Sequence, residues 1–439
     1  METSEPVGGG LQLLPFRGLR YVAERVGSLA AVTSPPYDVV VRPEGQRELE
    51  TADPYNIVRL ILPRAGAPAD PPAARHRHAA ETLRRWQDEG VLAADPEPGL
   101  YVYEQRDAFG GLQRGLIGAL RLTAQEEGAV LPHEDVMPDV VAERAALMRA
   151  TGTQLEPLLL AYRGDTSGDA APRGAAAVVE RAAAGPALAS TSDGDGTGHR
   201  LWQVTDPAAL AEVAADLTGR RALIADGHHR WATYRLLSAE RGGPGPWDRG
   251  LVLLVDSARY PLRVRAIHRL LRRLPPGKAL AAVDGAFRVR PVAGPLPRAL
   301  DALAAAGGAA GDGPGNAFLL AGEGRFHLLD RPDPDLLARA VPADRPAAWR
   351  ALDTAVLHHL LLGRVWRLPD GPEDVGYLHD AAAAVAQAER GGGTAVLMRP
   401  VREEVVRELA GQGVAMPHKS TSFGPKPASG LVLRSLALG

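Results

Sequence analysis

The stretch RALIADGHHRWATYRLLSAER, residues 221–241, contains the most informative pattern in the chain. The apolar run at 221–225 predicts a buried strand, and the pattern at 230–241 predicts an amphipathic helix. Asp226 and Gly227 lie between them, so the chain turns there with almost no loop. Aspartate often caps helices, and glycine permits a left-handed backbone or the close approach of a ligand. The stretch therefore predicts a strand–turn–helix unit.

The predicted helix start favours the binding of an anion. The first N–H groups of a helix lack partners inside it, and the helix dipole adds partial positive charge. Three consecutive donors in the sequence HHR, including a guanidinium that can grip phosphate through two hydrogen bonds, are unfavourable there without an anion. The predicted phosphate-binding residues are Gly227, His228, His229 and Arg230. The alternative is that Asp226 is only a helix cap and the histidines are surface residues.

A polar segment near the end of the sequence, KSTSFGPK at residues 419–426, is a second candidate for phosphate binding. Of the 50 basic residues in the chain, three are lysine, and two of these lie in this segment. A chain that uses arginine almost everywhere keeps lysine where a compact ammonium is needed. The order of residues is not that of a P-loop. The predicted phosphate ligands are Lys419, Ser420, Thr421 and Lys426, and the alternative is a flexible basic linker.

Acid–base chemistry is predicted for the segment LPHED, residues 131–135. His133 offers a titratable imidazole beside the carboxylate of Glu134. We predict Glu134 as the catalytic base with His133 orienting it, and Asp226 as the alternative carboxylate. Taken alone, the segment is more typical of a loop with surface charges.

Two turn segments early in the chain, SPPYD at 34–38 and DPYN at 53–56, supply predicted substrate contacts. These contacts are Tyr37, Asp38 and Asn56. Both segments are equally typical of plain turns, because Pro, Asp and Asn favour turn conformations. The alternating segment NIVRLIL, residues 56–62, predicts a strand ended by Pro63.

The length and composition limit the class of protein. With 439 residues, of which 45% are hydrophobic, the chain exceeds one ordinary core. We predict domains at 1–275 and 276–439, with 416–439 returning to the active cleft. The absence of cysteine excludes disulfides, cysteine-ligated zinc, iron–sulfur clusters and thiol nucleophiles. No metal site is predicted, since two adjacent histidines without an HExxH helix are weak evidence for one.

The charge and hydropathy pattern bears on partners and location. The net charge of -2 disfavours nucleic acid and anionic membranes as partners. No signal peptide and no apolar run of about 18 residues is visible, so a cytoplasmic location and no membrane partner are expected.

Six motifs together resemble a prokaryotic family, the domain of unknown function 1015. They are SPPYDVV at 34–40, DPYNIVRLILP at 53–63, PHE at 132–134, ADGHHRWAT at 225–233, LDTAVLHHLLL at 352–362 and KSTSFGPKPASGLV at 419–432. The resemblance covers nearly the whole chain.

The DGHHR turn is also similar to the nucleotide-phosphate motif of the ParB/sulfiredoxin superfamily, and most of all to that of the free-serine kinases. This resemblance implies an α+β fold with a mixed-sheet ParB/sulfiredoxin-like core and a second α/β lobe. It implies that residues 227–230 hold phosphates while a carboxylate acts on a substrate hydroxyl. Because the chain has no cysteine, reduction of a sulfinic acid by the sulfiredoxin route is excluded.

The predicted function is phosphoryl transfer on a small metabolite, with serine or phosphoserine as candidate substrates. The active cleft is predicted where 133–134, 226–230 and 419–426 meet. The cofactor implied is ATP or ADP, with Mg²⁺ carried by the nucleotide. One alternative is a phosphohydrolase of a small phosphate ester such as phosphoserine, and another is a non-catalytic nucleotide-binding regulator. A ParB-like DNA-associated protein is disfavoured by the net charge and by the lack of a long basic helix.

Overall fold

The computed structural model describes residues 9–40, 43–64, 72–165, 171–306, 315–369, 371 and 373–438. The chain divides into two compact units. The first consists of Met1–Pro132, Val136–Leu262 and Pro425–Gly439, and the second of His133–Asp135 and Arg263–Gly424. The predicted domain limits, 1–275 and 276–439, stay a prediction.

The strands follow one another along the chain as β1 Leu13–Leu14, β2 Gly18–Tyr21, β3 Leu92–Ala94, β4 Leu100–Arg106, β5 Leu112–Arg121, β6 Val130–Leu131, β7 Thr153–Gln154, β8 Leu158–Tyr162, β9 Ala189–Ser192, β10 Gly198–Val204, β11 Ala222–Asp226, β12 Arg249–Asp256, β13 Arg263–Arg265, β14 His268–Leu271, β15 Arg288–Val292, β16 Phe318–Gly322, β17 Arg325–Asp330, β18 Val375–Leu378, β19 Thr394–Leu397, β20 Ser422–Gly424 and β21 Leu433–Ser435.

The α-helices are α1 Leu29–Val32, α2 Pro43–Ala52, α3 Val58–Ile61, α4 Pro72–Asp88, α5 Pro138–Thr151, α6 Gly174–Ala183, α7 Pro207–Leu217, α8 His228–Arg241, α9 Pro276–Ala282, α10 Leu296–Ala305, α11 Pro334–Ala340, α12 Ala347–Arg350, α13 Asp353–Val356, α14 Ala381–Gly391 and α15 Glu403–Gly411. Short 3₁₀ helices lie at Ala23–Arg25, Gln125–Glu127 and Pro246–Asp248, and a π-helix lies at Leu357–Val365.

The first unit is built around a mixed sheet with strand order β6-β11-β8-β12-β5-β4-β10-β9, to which β1 adds on β5. Strand β8 runs parallel to β12 and antiparallel to β11. Strands β8 and β12 are apolar and almost entirely buried, as expected for strands covered on both faces. The strand–turn–helix unit predicted at 221–241 is confirmed as β11 followed by α8. Side chains of α8 that face the core are Trp231, Tyr234 and Leu237.

A second sheet of the first unit has the order β3-β2-β21-β7, so the last strand of the chain lies between two early ones. Its core contains Trp86 from α4 and Leu433 from β21. The strand predicted for NIVRLIL is wrong, because Val58–Ile61 forms helix α3. The carboxamide oxygen of Asn56 accepts the Val58 N–H at 2.9 Å and starts that turn. The apolar side chains of α3, Val58, Leu60 and Ile61, are all buried.

The second unit contains a sheet of antiparallel pairs in the order β15-β17-β16-β19-β14-β18, and the separate pair β13–β20. Helices α10 and α14 supply Leu303 and Ala388 to its core. The protein therefore combines α-helices with a mixed sheet and further separate sheets. Within the ranges described above, no helix has the length and apolarity needed to cross a membrane.

Candidate phosphate-binding site

Helix α8 begins directly after a glycine in a left-handed conformation. Gly227 has φ 98° and ψ 30°, and no side chain of the described residues caps the helix. A Cβ atom on Gly227 would lie 3.1 Å from Leu158 and 3.2 Å from Nε of Arg230. Both the dihedral angle and the close packing therefore require glycine. The alternative of Asp226 as a helix cap is wrong, since the N-cap position belongs to Gly227.

Asp226 instead binds two cations. Its Oδ2 accepts a hydrogen bond from Arg230 Nη2 at 2.7 Å, and its Oδ1 lies 2.5 Å from Nζ of Lys426. Lys426 also pairs with the exposed carboxylate of Asp38. Burial opposes the charge of Lys426, but the carboxylates of Asp226 and Asp38 outweigh it and raise the pKa of the ammonium. Lys426 is therefore a cation shared by two carboxylates.

Arg230 is buried beneath the turn. Its Nη1 donates to the Pro157 carbonyl at 3.0 Å, and its guanidinium lies 5.7 Å from the centre of the Tyr37 ring. Its Nε–H is buried and has no hydrogen-bond partner among the residues described. Both terminal nitrogens are already engaged with the protein. In this structure Arg230 therefore supplies positive charge under the turn rather than an open fork for phosphate.

The two histidines of the turn differ in burial. His228 is buried, and burial together with the charges of His229 and Lys426 lowers its pKa to about 3. His228 is therefore neutral at physiological pH. His229 is half-buried, and its Nε2 accepts the Met137 N–H at 3.1 Å. An accepting Nε2 places the ring proton of a neutral His229 on Nδ1.

Glu156 is a site residue that sequence reasoning missed. Its Oε1 accepts hydrogen bonds of 3.0 Å from the Tyr37 N–H and from Oγ of Ser429. Burial raises the pKa of Glu156, although the Arg230 charge opposes this. A carboxylate placed just before the apolar strand β8 is unusual, and this was the available sign of its role. Glu156 ties the loop of Tyr37 and the segment of Ser429 together beneath Arg230.

The structure places two of the predicted substrate contacts, Tyr37 and Asn56, in different surroundings. The Tyr37 ring lies 4.5 Å from the guanidinium carbon of Arg144 and packs on Arg230, so it belongs to the cluster around the turn. Asn56 is 0% exposed, and its amide donates to the carbonyls of Ala31 at 2.7 Å and Thr33 at 3.1 Å. A substrate cannot reach this side chain. The prediction of Asn56 as a substrate contact is therefore corrected to a structural role.

In the second unit, the acid–base pair is joined by a hydroxyl. Oγ1 of Thr421 lies 2.9 Å from Nε2 of His133 and 3.3 Å from Oε1 of Glu134. An ionised carboxylate only accepts, so Thr421 donates to Glu134 and accepts from His133 Nε2–H. His133 is buried, with its ring centre 5.6 Å from that of Phe423. The predicted orientation of Glu134 by His133 therefore runs through Thr421.

The other predicted residues of the second unit form a rigid turn. Ser420 is buried, donates to the Pro417 carbonyl at 2.5 Å and accepts from Oγ1 of Thr354 at 2.9 Å. Its single hydroxyl proton is already donated, so its predicted role as a phosphate ligand is corrected to a structural one. Lys419 is exposed and has a left-handed backbone, φ 55°. Phosphate binding by Lys419 stays a prediction.

Arg269, which no sequence motif marked, holds this turn from inside. It is 0% exposed, and its Nη2 donates to the Lys419 carbonyl at 3.0 Å. Its Nη1 donates to the Ile267 carbonyl at 2.5 Å, and its guanidinium lies 4.9 Å from the Tyr377 ring centre. The lysine is therefore presented by a fixed backbone.

The structure thus gathers the predicted site residues into two groups. The first unit holds Tyr37, Asp38, Asp226, Gly227, His228, His229, Arg230 and Lys426, and the second holds His133, Glu134, Lys419, Ser420 and Thr421. The single cleft predicted for all of them stays a prediction.

Comparison with known proteins gives a family and distant structural neighbours. A mutant of free serine kinase in complex with ADP is 14% identical, with 67% of this chain and 84% of that chain covered and a TM-score of 0.34. A conserved hypothetical protein from Pyrococcus furiosus is 16% identical, with 71% of this chain and 94% of that chain covered and a TM-score of 0.34. SbnI with a C-terminal truncation from Staphylococcus aureus is 9% identical, with 70% of this chain and 82% of that chain covered and a TM-score of 0.33. No curated protein matches the sequence. Residues 13–355 match the family model described as protein of unknown function DUF1015, and the chain belongs to that family.

Proposed function

We propose that residues 226–230 together with Lys426 bind the phosphate group of a small metabolite or nucleotide, and that the protein catalyses phosphoryl transfer. The observation that carries this proposal is the start of α8 at Gly227, a residue without a side chain, beside the ammonium of Lys426. Backbone N–H groups at a helix start and a fixed cation are the donors that phosphate requires. The buried charge of Arg230 adds positive potential beneath them.

Each residue of the turn has a defined part in this proposal. Gly227 adopts the left-handed conformation from which α8 begins directly after β11, and a Cβ there would crowd Leu158 and Arg230. The neutral His228 places an imidazole at the helix start without adding charge, and the half-buried His229 places a second one beside it. Lys426 neutralises charge that develops during transfer.

The cofactor follows from the same residues. A bound nucleoside triphosphate would supply the phosphoryl group, with its phosphates at Gly227 and Lys426. In the portion of the chain that the structure describes, no group of three or more metal-binding side chains occurs. Mg²⁺ would therefore be held chiefly by the phosphates. Glu134 stays the predicted base, and serine stays the candidate acceptor.

Calorimetric titration with inorganic pyrophosphate tests the binding step. We expect wild type to bind, and Lys426→Met to bind at least about tenfold more weakly, because the ammonium that would pair with the phosphate is removed. Lys278→Met removes an exposed lysine of α9 and is the matched control. Equal affinities for wild type, Lys426→Met and Lys278→Met would refute the proposed site.

Turnover assays separate the catalytic alternatives. Incubation with ATP and serine is expected to yield phosphoserine and ADP. Release of phosphate from phosphoserine without nucleotide would instead indicate a phosphohydrolase, and binding without turnover would indicate a regulator. Glu134→Gln is expected to abolish turnover, because glutamine cannot act as a base. Pyrophosphate binding should persist, because Glu134 is not proposed to hold the phosphate.

A further inference from the structure

Two loops that contact the turn carry exposed apolar side chains. Across the described ranges, the large apolar side chains that stay exposed are Val39, Phe109, Val136, Met137, Leu188 and Leu236. Three of these, Val39, Val136 and Met137, belong to segments bonded to the turn. Single exposed apolar residues are common, but these three belong to loops that are each tied to the same polar turn, which makes them candidates for contact with a ligand bound there.

The first loop is held firmly although Val39 is exposed. The Tyr37 N–H binds Glu156, and the Asp38 carboxylate pairs with Lys426. The Val39 N–H donates to the Pro36 carbonyl at 2.9 Å, which closes the turn. Val39, 47% exposed, is therefore displayed by a fixed backbone.

The second loop approaches the turn through its backbone. Met137 donates its N–H to Nε2 of His229, and its side chain is 48% exposed. It occupies the N-cap position of α5, where a residue that can cap the helix is preferred. Val136, 36% exposed, precedes it. An apolar residue at a position that favours Ser or Asp indicates a use other than helix stability.

We propose that Val39, Val136 and Met137 contact the nucleobase of a nucleotide whose phosphates bind at residues 226–230, an inference that rests on the proposed function. A thioether and two valine side chains suit the face of a heterocycle, since sulfur packs well on aromatic rings. A protein interface takes about 20 residues on each side, whereas a nucleobase is small enough for three side chains to cover. Phosphoserine or inorganic phosphate would leave them in water.

Titration with ADP and with inorganic pyrophosphate tests this assignment, because the two ligands share their phosphates. We expect wild type to bind ADP more tightly than pyrophosphate. Met137→Ser and Val39→Thr should weaken ADP binding roughly 3- to 10-fold, because less apolar surface covers the base, and should leave pyrophosphate binding unchanged. Serine is a good N-cap, so Met137→Ser should retain or gain thermal stability. Leu188→Ser, exposed to a similar degree, is the control and should alter neither ligand.

Three outcomes would overturn the inference. If wild type binds ADP no better than pyrophosphate, the phosphate site stands but the nucleobase contact does not. If both variants weaken pyrophosphate as much as ADP, the loops only support the turn. If wild type binds neither ligand, the proposed function fails and this inference fails with it.

Discussion

Lys426 is shared between Asp226 and Asp38, and this sharing predicts the effect of removing one carboxylate. A phosphate that binds Lys426 must compete with Asp38 for the same ammonium. Asp38→Asn should therefore tighten pyrophosphate binding, by roughly 3- to 10-fold, because a negative neighbour is removed. Calorimetry at low salt measures this, and Asp301→Asn, at an exposed site on α10, is the control. Weaker binding by Asp38→Asn would show that Asp38 helps the site instead of competing.

The backbone of Lys419 is strained, which gives a stability prediction. A non-glycine residue at φ 55° costs roughly 1–2 kcal/mol, and glycine avoids that cost. Lys419→Gly should raise the free energy of unfolding by about 1 kcal/mol, measured by urea denaturation. The same change at Lys278, inside helix α9, should lower it by about 1 kcal/mol. A loss of stability in Lys419→Gly would mean that the ammonium, not the backbone, dominates there.

At the scale of elements, burial at the start of α8 gives the protein an expected pH dependence. The pKa of His228 is lowered to about 3, chiefly by burial, so between pH 3 and about 6.5 the unfolded chain binds more protons than the folded one. The stability that the neutral, buried His228 contributes is therefore fully present above about pH 6.5 and is lost as the pH falls. The part of this loss that His228 contributes between pH 7 and pH 5 should be about 2 kcal/mol.

Urea unfolding at pH 7 and pH 5 measures this loss in wild type and in His228→Gln. The variant should lose about 2 kcal/mol less than wild type over that interval, because glutamine does not titrate. His78→Gln, at an exposed position of α4, should behave as wild type. Parallel losses in all three proteins would exclude His228 as the group responsible.

Elements whose pattern is local were predictable from the sequence. Strand β11 and helix α8 follow from an apolar run and an amphipathic pattern that are adjacent in the sequence. The strand prediction for NIVRLIL failed because Asn56 accepts the Val58 N–H and starts α3, while its amide is held by the carbonyls of Ala31 and Thr33, far away in sequence. The strand propensity of a segment is overridden where such tertiary hydrogen bonds determine the backbone conformation.

In the candidate site, too, local patterns were predictable from the sequence and contacts between distant residues were not. The turn at 226–230 was visible because strand, glycine and helix are adjacent in sequence. Glu156 and Arg269 were not, because their roles arise from partners such as Tyr37 and Lys419 that lie far along the chain. The hydroxyl link of Thr421 to His133 likewise joins residues that are 288 positions apart.

At the scale of the molecule, Arg434 connects distant parts of the first unit. It is 0% exposed on β21, which pairs with β2 and β7. Its guanidinium donates to Oε1 of Gln154 at 3.2 Å, to the Arg249 carbonyl at 3.1 Å and to the Pro246 carbonyl at 2.9 Å. Burial lowers its pKa to about 10, so it stays charged at neutral pH.

Arg434→Met tests how far the first unit depends on this connection. Methionine fills similar space, but it leaves buried carbonyl oxygens without donors, so the free energy of unfolding should fall by about 3 kcal/mol. Urea denaturation followed by tryptophan fluorescence measures the change, and Arg390→Met, at an exposed position of α14, is the control. Lys426 reaches the turn on the segment that leads into β21, so pyrophosphate binding should weaken together with stability. Unchanged stability would show that strand pairing alone holds β21 in place.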